Sequence, residues 1–286
     1  MKHFTSAHYR MHREALSPVL SGSLSLPDLD LSFGQKNFAE FLFQQRLHAC
    51  WLRLIEDQEL RGGYEDLVSS LKRFTLVSAA REMPQQRILQ EVADLFQAHH
   101  IQWFTAKGSQ LRQVVYEESH LRPAIDIDVF VRSPDQERAT ELLVSEGFVA
   151  QPLPETLSHE LKLTRNKVDI DLHWHLFRPG RARPGLMNWL FEHREKFNGL
   201  HGLDDTASLF VMLVHPAITK YLVSPTSMLI HQVDQARLIG RGKVNWEDLE
   251  AELTRSGMRT AAWCSLYVLE GLGGIQAPEG FEKRIR

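Results

Sequence analysis

Two aspartates separated by one residue, Asp126 and Asp128, are the first candidates for chemistry in this chain. They lie in PAIDIDVFVRS, where apolar and polar residues alternate, and this pattern predicts a β-strand. Side chains two residues apart on a strand share a face and stand about 6.6 Å apart along the chain. A hard divalent cation such as Mg²⁺, which prefers oxygen ligands, would relieve the repulsion between the two carboxylates. The alternative is an exposed sheet edge that carries two solvated acids.

A second alternating segment, KVDIDLHWHLF, carries further polar side chains on one predicted face: Asp169, Asp171, His173 and His175. If this strand lies about 4.8 Å from the first, three or four carboxylates converge. A third carboxylate is what a site for two metal ions about 3.5–4 Å apart requires. Alternation alone does not choose between Asp169 and Asp171, because both point to the same side.

The turn Lys107-Gly108-Ser109 separates a predicted strand from a predicted helix. Glycine lets the backbone approach a ligand closely, and a helix N-terminus favours phosphate. Cations that would neutralise a triphosphate or pyrophosphate follow in the sequence. They are Lys107, Arg122, Arg178, Arg181 and Arg183. For the last three, a solvated surface loop is the alternative.

A zinc hydrolase site built from Asp171, His173 and His175 is a further alternative, since alternate residues of a strand can bind one metal ion. This interpretation leaves the Asp126/Asp128 pair and the glycine turn without a role. We therefore expect His173 to orient a carboxylate or to line the site.

The elements that must position these residues predict an α+β fold. We expect a loosely structured lead-in at 1–34, a helical region at 35–100, an α/β core at 101–177 and a second helical region at 178–286. The predicted strands lie near 101–105, 125–131, 148–150, 157–163 and 168–176.

Helix boundaries follow from caps and helix-breaking residues. One helix is expected to end at Gly62-Gly63, a second to stop before Pro84 and a third to end near His99. Candidate N-caps farther along the chain are Asp204 or Asp205, Thr226 or Ser227, and Asn245, and Gly257 is a candidate helix end.

Composition limits the classes of function. The chain has 286 residues, a net charge of −3 and 43 % hydrophobic residues, which excludes a disordered tail, a disulfide miniprotein and a general nucleic-acid coat. Two cysteines, no apolar signal segment and no membrane-spanning run predict a cytoplasmic protein with reduced thiols.

These residues and their order resemble the nucleotidyltransferase superfamily of DNA polymerase beta. More narrowly, they resemble its uncharacterised bacterial nucleotidyltransferase-like family, from about residue 40 onward. The matching positions are Lys107-Gly108, Tyr116, Arg122, Asp126-Ile127-Asp128, Ala139, Leu142, Gly147-Phe148, Asp171-Leu172-His173-Trp174, His215, Asp234 and Asn245-Trp246.

The resemblance implies a small mixed β-sheet nucleotidyltransferase core flanked by helical regions. It implies transfer of a nucleoside monophosphate from a nucleoside triphosphate to an acceptor hydroxyl, with release of pyrophosphate. Asp126, Asp128 and Asp171 would hold Mg²⁺ or Mn²⁺, with two ions expected, and the third aspartate would also take the proton of the acceptor hydroxyl. The implied nucleotide-binding residues are Lys107, Gly108, Ser109 and Arg122.

The family places its third aspartate directly before Leu-His-Trp, so Asp171 is preferred and Asp169 becomes a peripheral acid that supports the site. A non-catalytic nucleotide-binding or interaction protein on the same fold is the main alternative function. The nucleotide, the acceptor and the oligomeric state stay open. The near-neutral charge favours a small-molecule or protein acceptor over a nucleic acid.

Overall fold

The computed structural model describes residues 6–24, 34–58, 63–151, 158–219 and 228–286. In these ranges the helices are α1 (Ser6–Ser21), α2 (Gln35–Gln44), α3 (His48–Asp57), α4 (Glu65–Ala98), α5 (Lys107–Val114), α6 (Gln136–Ser145), α7 (Leu186–Glu192), α8 (Asp205–Thr219), α9 (Ile230–Gly240), α10 (Trp246–Ser256), α11 (Arg259–Gly273) and α12 (Phe281–Ile285). The strands are β1 (Trp103–Ala106), β2 (Asp126–Val131), β3 (Val149–Ala150), β4 (Glu160–Arg165), β5 (Val168–His173), β6 (Arg194–Phe197) and β7 (Leu200–Leu203).

Five strands form one mixed sheet in the order β1-β2-β5-β4-β3. Strands β2 and β5 are parallel neighbours, whereas the other pairs of this sheet are antiparallel. The alternating segments therefore lie side by side, and the α+β prediction is confirmed. The hairpin β6–β7, which no sequence pattern indicated, forms a separate two-stranded sheet.

The two faces of the sheet pack against different helices. Ile127 and Val129 on one face are fully buried in a core shared with residues of α4 and α6. Phe104 and Phe130 stack on the other face, with ring centroids 4.9 Å apart, and join a core shared with α7 and α8. Because β2 alternates, Asp126 and Asp128 share the face of Phe130. Ile125, where the predicted strand begins, lies just before β2 and is about half exposed.

The N-terminal segment differs from the predicted loose lead-in, because Ser6–Ser21 is helical. Ala15 and Leu16 are fully buried in a third core that also contains residues of α2, α3 and α9. Burial against these helices stabilises a helix whose own sequence shows no clear periodicity.

Helix α4 also differs from the prediction, since it continues through Pro84 where two helices were expected. Leu67 and Leu71 in its first half pack in the third core, together with residues of α1, α2 and α3. Ile88 and Phe96 in its second half pack in the core beneath the sheet. We attribute the continuity to this burial at both ends, which offsets the local cost of an internal proline.

Two predicted caps are confirmed. Asp204 Oδ1 accepts a hydrogen bond of 2.9 Å from the backbone N–H of Ala207, and Asn245 Oδ1 accepts one of 3.2 Å from that of Asp248. The predicted caps at 226 and 227 lie outside the described residues. Among the helices that the structure describes, none is long and apolar enough to cross a bilayer.

Candidate active site

The parallel pairing of β2 and β5 brings together acids that are far apart in the chain. Asp128 lies directly opposite Asp171, and Asp126 lies opposite Asp169. Ligand atoms of Asp128, Asp171 and His173 all lie within 4.8 Å of one another. Asp126 is outside this group but lines the same cleft. The structure thus joins Asp126, Asp128 and Asp171 on one concave surface.

Asp128 is buried and its Oδ1 atom accepts two hydrogen bonds. Lys107 Nζ donates one over 2.5 Å, and His173 Nε2 is 3.0 Å away. Burial alone would raise the pKa of Asp128, but the Lys107 ammonium and His173 hold it well below its usual range. Burial likewise opposes the charge of Lys107, yet the adjacent Asp128 carboxylate raises its pKa overall. The Oδ2 atom accepts no hydrogen bond from the described residues.

Asp126 and Asp171 are half-buried, and no described residue donates a hydrogen bond to either carboxylate. Burial and then the negative charges of Asp128 and Asp126 raise the pKa of Asp171 to about 6. Three carboxylates with lone pairs left over are a donor set of the kind that hard divalent cations prefer. The residues present therefore fit an Mg²⁺ or Mn²⁺ ion.

Asp169 does not join this group. Its carboxylate accepts a hydrogen bond of 2.7 Å from Thr164 and lies 3.3 Å from Lys162 Nζ, both on β4. As the alternation of residue types predicts, Asp169 and Asp171 lie on the same strand, two residues apart. Because Thr164 and Lys162 on β4 bind the Asp169 carboxylate, Asp169 is not among the residues that line the cleft.

The turn after β1 is tightly packed. Lys107 has a left-handed backbone with φ 55°, a conformation that is strained for a residue with a side chain. A Cβ atom at Gly108 would lie 3.2 Å from both Ala124 Cβ and Arg122 Nη1, so glycine is what fits. Ser109 is fully buried: its Oγ donates to the carbonyl of Ala106 over 3.0 Å and lies 2.8 Å from Thr105 Oγ1. Its hydroxyl is therefore not part of the cleft lining, and the phosphate contact of Ser109 stays a prediction.

Arg122 lies at the base of the cleft, and Asp234 engages its guanidinium. Nε and Nη2 donate to the Asp234 carboxylate over 2.8 and 2.7 Å, and Nη1 donates to the Pro123 carbonyl. Tyr116 donates a further hydrogen bond of 2.7 Å to Asp234. Burial by itself would lower the pKa of Arg122, but Asp234 raises it overall. The Arg122 guanidinium therefore packs against the Gly108 turn, and because it is paired with Asp234 it is not a free cation.

The cleft has a volume of about 490 Å³. Its walls include four side chains that the sequence patterns did not indicate: Arg46, His159, Glu160 and His231. They come from a helix connection, the start of β4 and the helix α9, and no motif marks them. His215 of α8, one of the positions that match the family, also lines the cleft. The arginines 178 and 181 of the predicted basic loop also line it.

Arg46 is the most informative of these wall residues. It occupies the connection between α2 and α3 with φ 59°, again a left-handed backbone. Its guanidinium forms no ion pair or hydrogen bond within the described part of the chain. Burial and then the charge of Arg122 lower its pKa to about 10, although Asp126 and Asp128 oppose this shift. Arg46 thus offers a positive charge to the cleft.

The alternative zinc site of Asp171, His173 and His175 is not assembled. Strand β5 ends at His173, so the alternation does not continue to His175. His175 is exposed, lies 3.4 Å from Ser133 Oγ and belongs to a different cavity. The zinc hydrolase alternative in that form is wrong.

A sequence family and a solved structure are similar to this chain. The sequence profile of a family described as uncharacterised nucleotidyltransferase matches residues 32–274. Comparison with curated proteins gave no match. Among solved structures, the chain is similar to the solution structure of the antibiotic-resistance factor ANT(2'')-Ia, with 10 % sequence identity and a TM-score of 0.41 over 60 % of this chain and 92 % of that chain. Because the family profile spans most of its length, the chain belongs to the family of uncharacterised nucleotidyltransferases.

Proposed function

We propose that this protein transfers a nucleoside monophosphate from a nucleoside triphosphate to an acceptor hydroxyl, in a reaction that depends on a divalent metal ion. The observation that carries the proposal is the placement of Asp128 opposite Asp171, with Asp126 on the same cleft surface. Family membership supports nucleotidyl transfer in general, and this acidic surface supports the metal dependence.

The three aspartates have distinct surroundings that suit them to hold cations. Asp126 and Asp171 present carboxylates without hydrogen-bond donors from the described residues, and Asp128 presents its Oδ2 atom. When bound, divalent cations would stabilise negative charge on the attacking and leaving oxygens of an in-line displacement. We assign Mg²⁺ or Mn²⁺ to this set, because oxygen donors suit both ions.

The chain's own groups account for binding and proton transfer. Lys107 and Arg46 supply positive charge for the phosphates, and the Gly108 backbone allows their close approach. In the proposed step a bond forms between the acceptor oxygen and the α-phosphorus, and the bond from that phosphorus to pyrophosphate breaks. The hydroxyl proton passes to the Asp171 carboxylate.

A second candidate is a nucleotide-binding protein without transferase activity. The ion pair between Lys107 and Asp128 favours it, because the ammonium already neutralises one of the proposed metal ligands. The two candidates differ in whether Asp171 has a role in turnover beyond nucleotide binding. They share the same cleft and the same nucleoside triphosphate.

Calorimetric titration with a non-hydrolysable nucleoside triphosphate tests the proposal without knowledge of the acceptor. We expect wild-type protein to bind it only with Mg²⁺ or Mn²⁺ present, and Asp126→Asn to weaken this binding at least tenfold. Asp169→Asn is the matched control, because it removes a similar charge from the same sheet and should retain binding. Equal losses in both variants, or metal-independent binding by the wild type, would refute the proposed metal site.

A pyrophosphate-release assay with candidate hydroxyl acceptors then separates the two candidates. Asp171→Ala should lose turnover by orders of magnitude while it loses less nucleotide affinity, because a proton acceptor acts mainly in the transition state. If wild-type protein binds the nucleotide with metal but releases no pyrophosphate with any acceptor class, the non-catalytic candidate is preferred.

A further inference from the structure

The imidazole of His173 lies between two carboxylates. Its Nε2 atom is 3.0 Å from Asp128 Oδ1, and its Nδ1 atom is 3.1 Å from Glu160 Oε2. The side chain is 2 % exposed, and its ring stacks on Phe130 with centroids 4.5 Å apart. The contact at Nδ1 does not have hydrogen-bond geometry, so a buried nitrogen remains unsatisfied. Such an atom is costly unless something bonds to it.

Hydrogen bonding to Asp128 determines which nitrogen of His173 carries the proton. Asp128 Oδ1 already accepts from the Lys107 ammonium, so Asp128 is a carboxylate and has no proton to donate. The Nε2 atom must therefore donate, and in the neutral ring the Nδ1 atom keeps its lone pair. This lone pair faces the Glu160 carboxylate, and the contact becomes favourable when a cation, either a proton or a metal ion, lies between the two atoms.

A third donor completes this second group. His159 Nε2 lies 3.5 Å from Glu160 Oε2, and ligand atoms of His159, Glu160 and His173 all lie within 4.8 Å of one another. Zinc–ligand bonds of 2.0–2.2 Å in a tetrahedral site place ligand atoms roughly 3.3 Å apart. The separations of 3.1 and 3.5 Å from Glu160 lie on either side of that value.

We propose that His159, Glu160 and His173 form a binding site for a transition-metal ion of the zinc class, next to the acidic surface. Two imidazoles and one carboxylate suit such an ion better than Mg²⁺, which prefers oxygen ligands. Asp128 is the carboxylate that orients His173 from its other nitrogen, an arrangement typical of metal-bound histidine. The inference goes beyond the proposed nucleotidyl transfer and does not depend on it.

Strand pairing explains why these three residues meet. Glu160 lies opposite His173 in the antiparallel pair β4–β5, and His159 directly precedes it. The carbonyl of His159 accepts a hydrogen bond of 3.1 Å from the backbone N–H of Trp174, which fixes the start of β4 against the end of β5. All three side chains line the cleft, so a metal ion there has a coordination position open to solvent or substrate.

Titration of the chelator-stripped full chain with Co²⁺ tests the proposal, since four-coordinate Co²⁺ absorbs visible light and replaces zinc in such sites. We expect one equivalent per chain with the bands of four-coordinate cobalt, displaced by Zn²⁺ but not by Mg²⁺. His159→Ala and Glu160→Ala should each weaken Co²⁺ binding at least tenfold; both residues are partly exposed, so folding is not at risk. The control is His175→Ala, which removes a neighbouring histidine outside the group and should retain the bands.

The absence of these bands in wild-type protein, or their retention at full affinity in His159→Ala, would overturn the proposal. Calorimetry with Mg²⁺ and nucleotide on the same preparations distinguishes this failure from a failure of the proposed function. Cobalt bands without metal-dependent nucleotide binding would contradict the nucleotidyltransferase proposal alone. Nucleotide binding without cobalt bands would contradict the transition-metal site alone.

Discussion

Replacement of Asp234 by asparagine should destabilise the protein strongly, because Asp234 neutralises a buried arginine. Both side chains are almost completely buried, at 2 % exposure for Arg122 and 0 % for Asp234. The Asp234 carboxylate accepts from Arg122 Nε over 2.8 and 3.0 Å, from Nη2 over 2.7 Å, and from the Tyr116 hydroxyl over 2.7 Å. No other acidic side chain pairs with Arg122 among the described residues.

The size of the effect follows from these contacts. In Asp234→Asn one carboxylate oxygen becomes an amide nitrogen, whose hydrogens face the donors of Arg122. The guanidinium then stays buried without a counter-charge, and breaking a buried pair in this way costs about 3–5 kcal/mol. Since a domain is typically stable by about 5–15 kcal/mol, this loss is a large fraction of the whole.

Urea unfolding followed by circular dichroism measures the loss as a change in the free energy of unfolding. The matched control is Glu117→Gln, which breaks the ion pair between Glu117 and Arg237. Arg237 lies on α9, the helix that also carries Asp234. Glu117 is 73 % exposed, so we expect a cost below about 1 kcal/mol despite an N–O distance of 2.9 Å. The contrast between the two variants isolates the effect of burial.

A double-mutant cycle with Arg122→Met identifies the cause. If the ion pair is responsible, the variant with both substitutions should lose at least about 1 kcal/mol less than the sum of the single losses. Additive losses would refute the reasoning, as would a cost below about 1 kcal/mol for Asp234→Asn alone.

Three further predictions concern other parts of the molecule. Arg46→Gln should weaken metal-dependent nucleotide binding by about 10- to 100-fold, because a hydrogen bond to a charged group contributes about 1.5–3 kcal/mol; calorimetry with an unchanged melting temperature would support this, and an unchanged Kd would contradict it. His48 is buried and lies 2.9 Å from Ser78 Oγ, and its pKa is lowered to about 4, chiefly by burial. As the pH falls below about 6.5, the unfolded chain therefore binds a proton at this histidine that the folded chain does not bind. Stability should therefore fall by up to about 3 kcal/mol as the pH falls from 6.5 to 4, and urea unfolding of His48→Gln over this range should show a shallower decline. Asn245→Ala removes the side-chain cap of α10 and should lower stability by about 1 kcal/mol in thermal unfolding, whereas a change below about 0.3 kcal/mol would show that the cap contributes nothing.

Much of the local structure was predictable because short-range patterns determine it. The period-2 alternation around Asp126 and Asp128 identified β2, since the buried side chains Ile127 and Val129 must share one face. The caps at Asp204 and Asn245 depend on hydrogen bonds within three residues, so the sequence contains all the information they need.

Local signals failed where packing between distant segments outweighed them. Pro84 indicates a helix end when it is considered alone, yet α4 continues because both of its halves are buried against different cores. Strand β5 ends at His173 although the alternation of residue types continues to Leu176. The pattern alone therefore could not show that His175 does not share a metal site with Asp171 and His173.

The sequence by itself determined which acids share a strand face and that glycine stands in the tight turn at residue 108, since these features depend on neighbouring residues. Only the tertiary structure decided which of them meet. Asp171 reaches the cleft while Asp169 does not: the register of β4 places Thr164 opposite Asp169, and Lys162, although it lies opposite Asp171, directs its ammonium to Asp169. Arg122 pairs with Asp234 across 112 residues of sequence, Arg46 enters from a separate helix connection, and Glu160 meets His173 through strand pairing. Such contacts depend on how distant segments pack and pair, which no local pattern of residue types encodes.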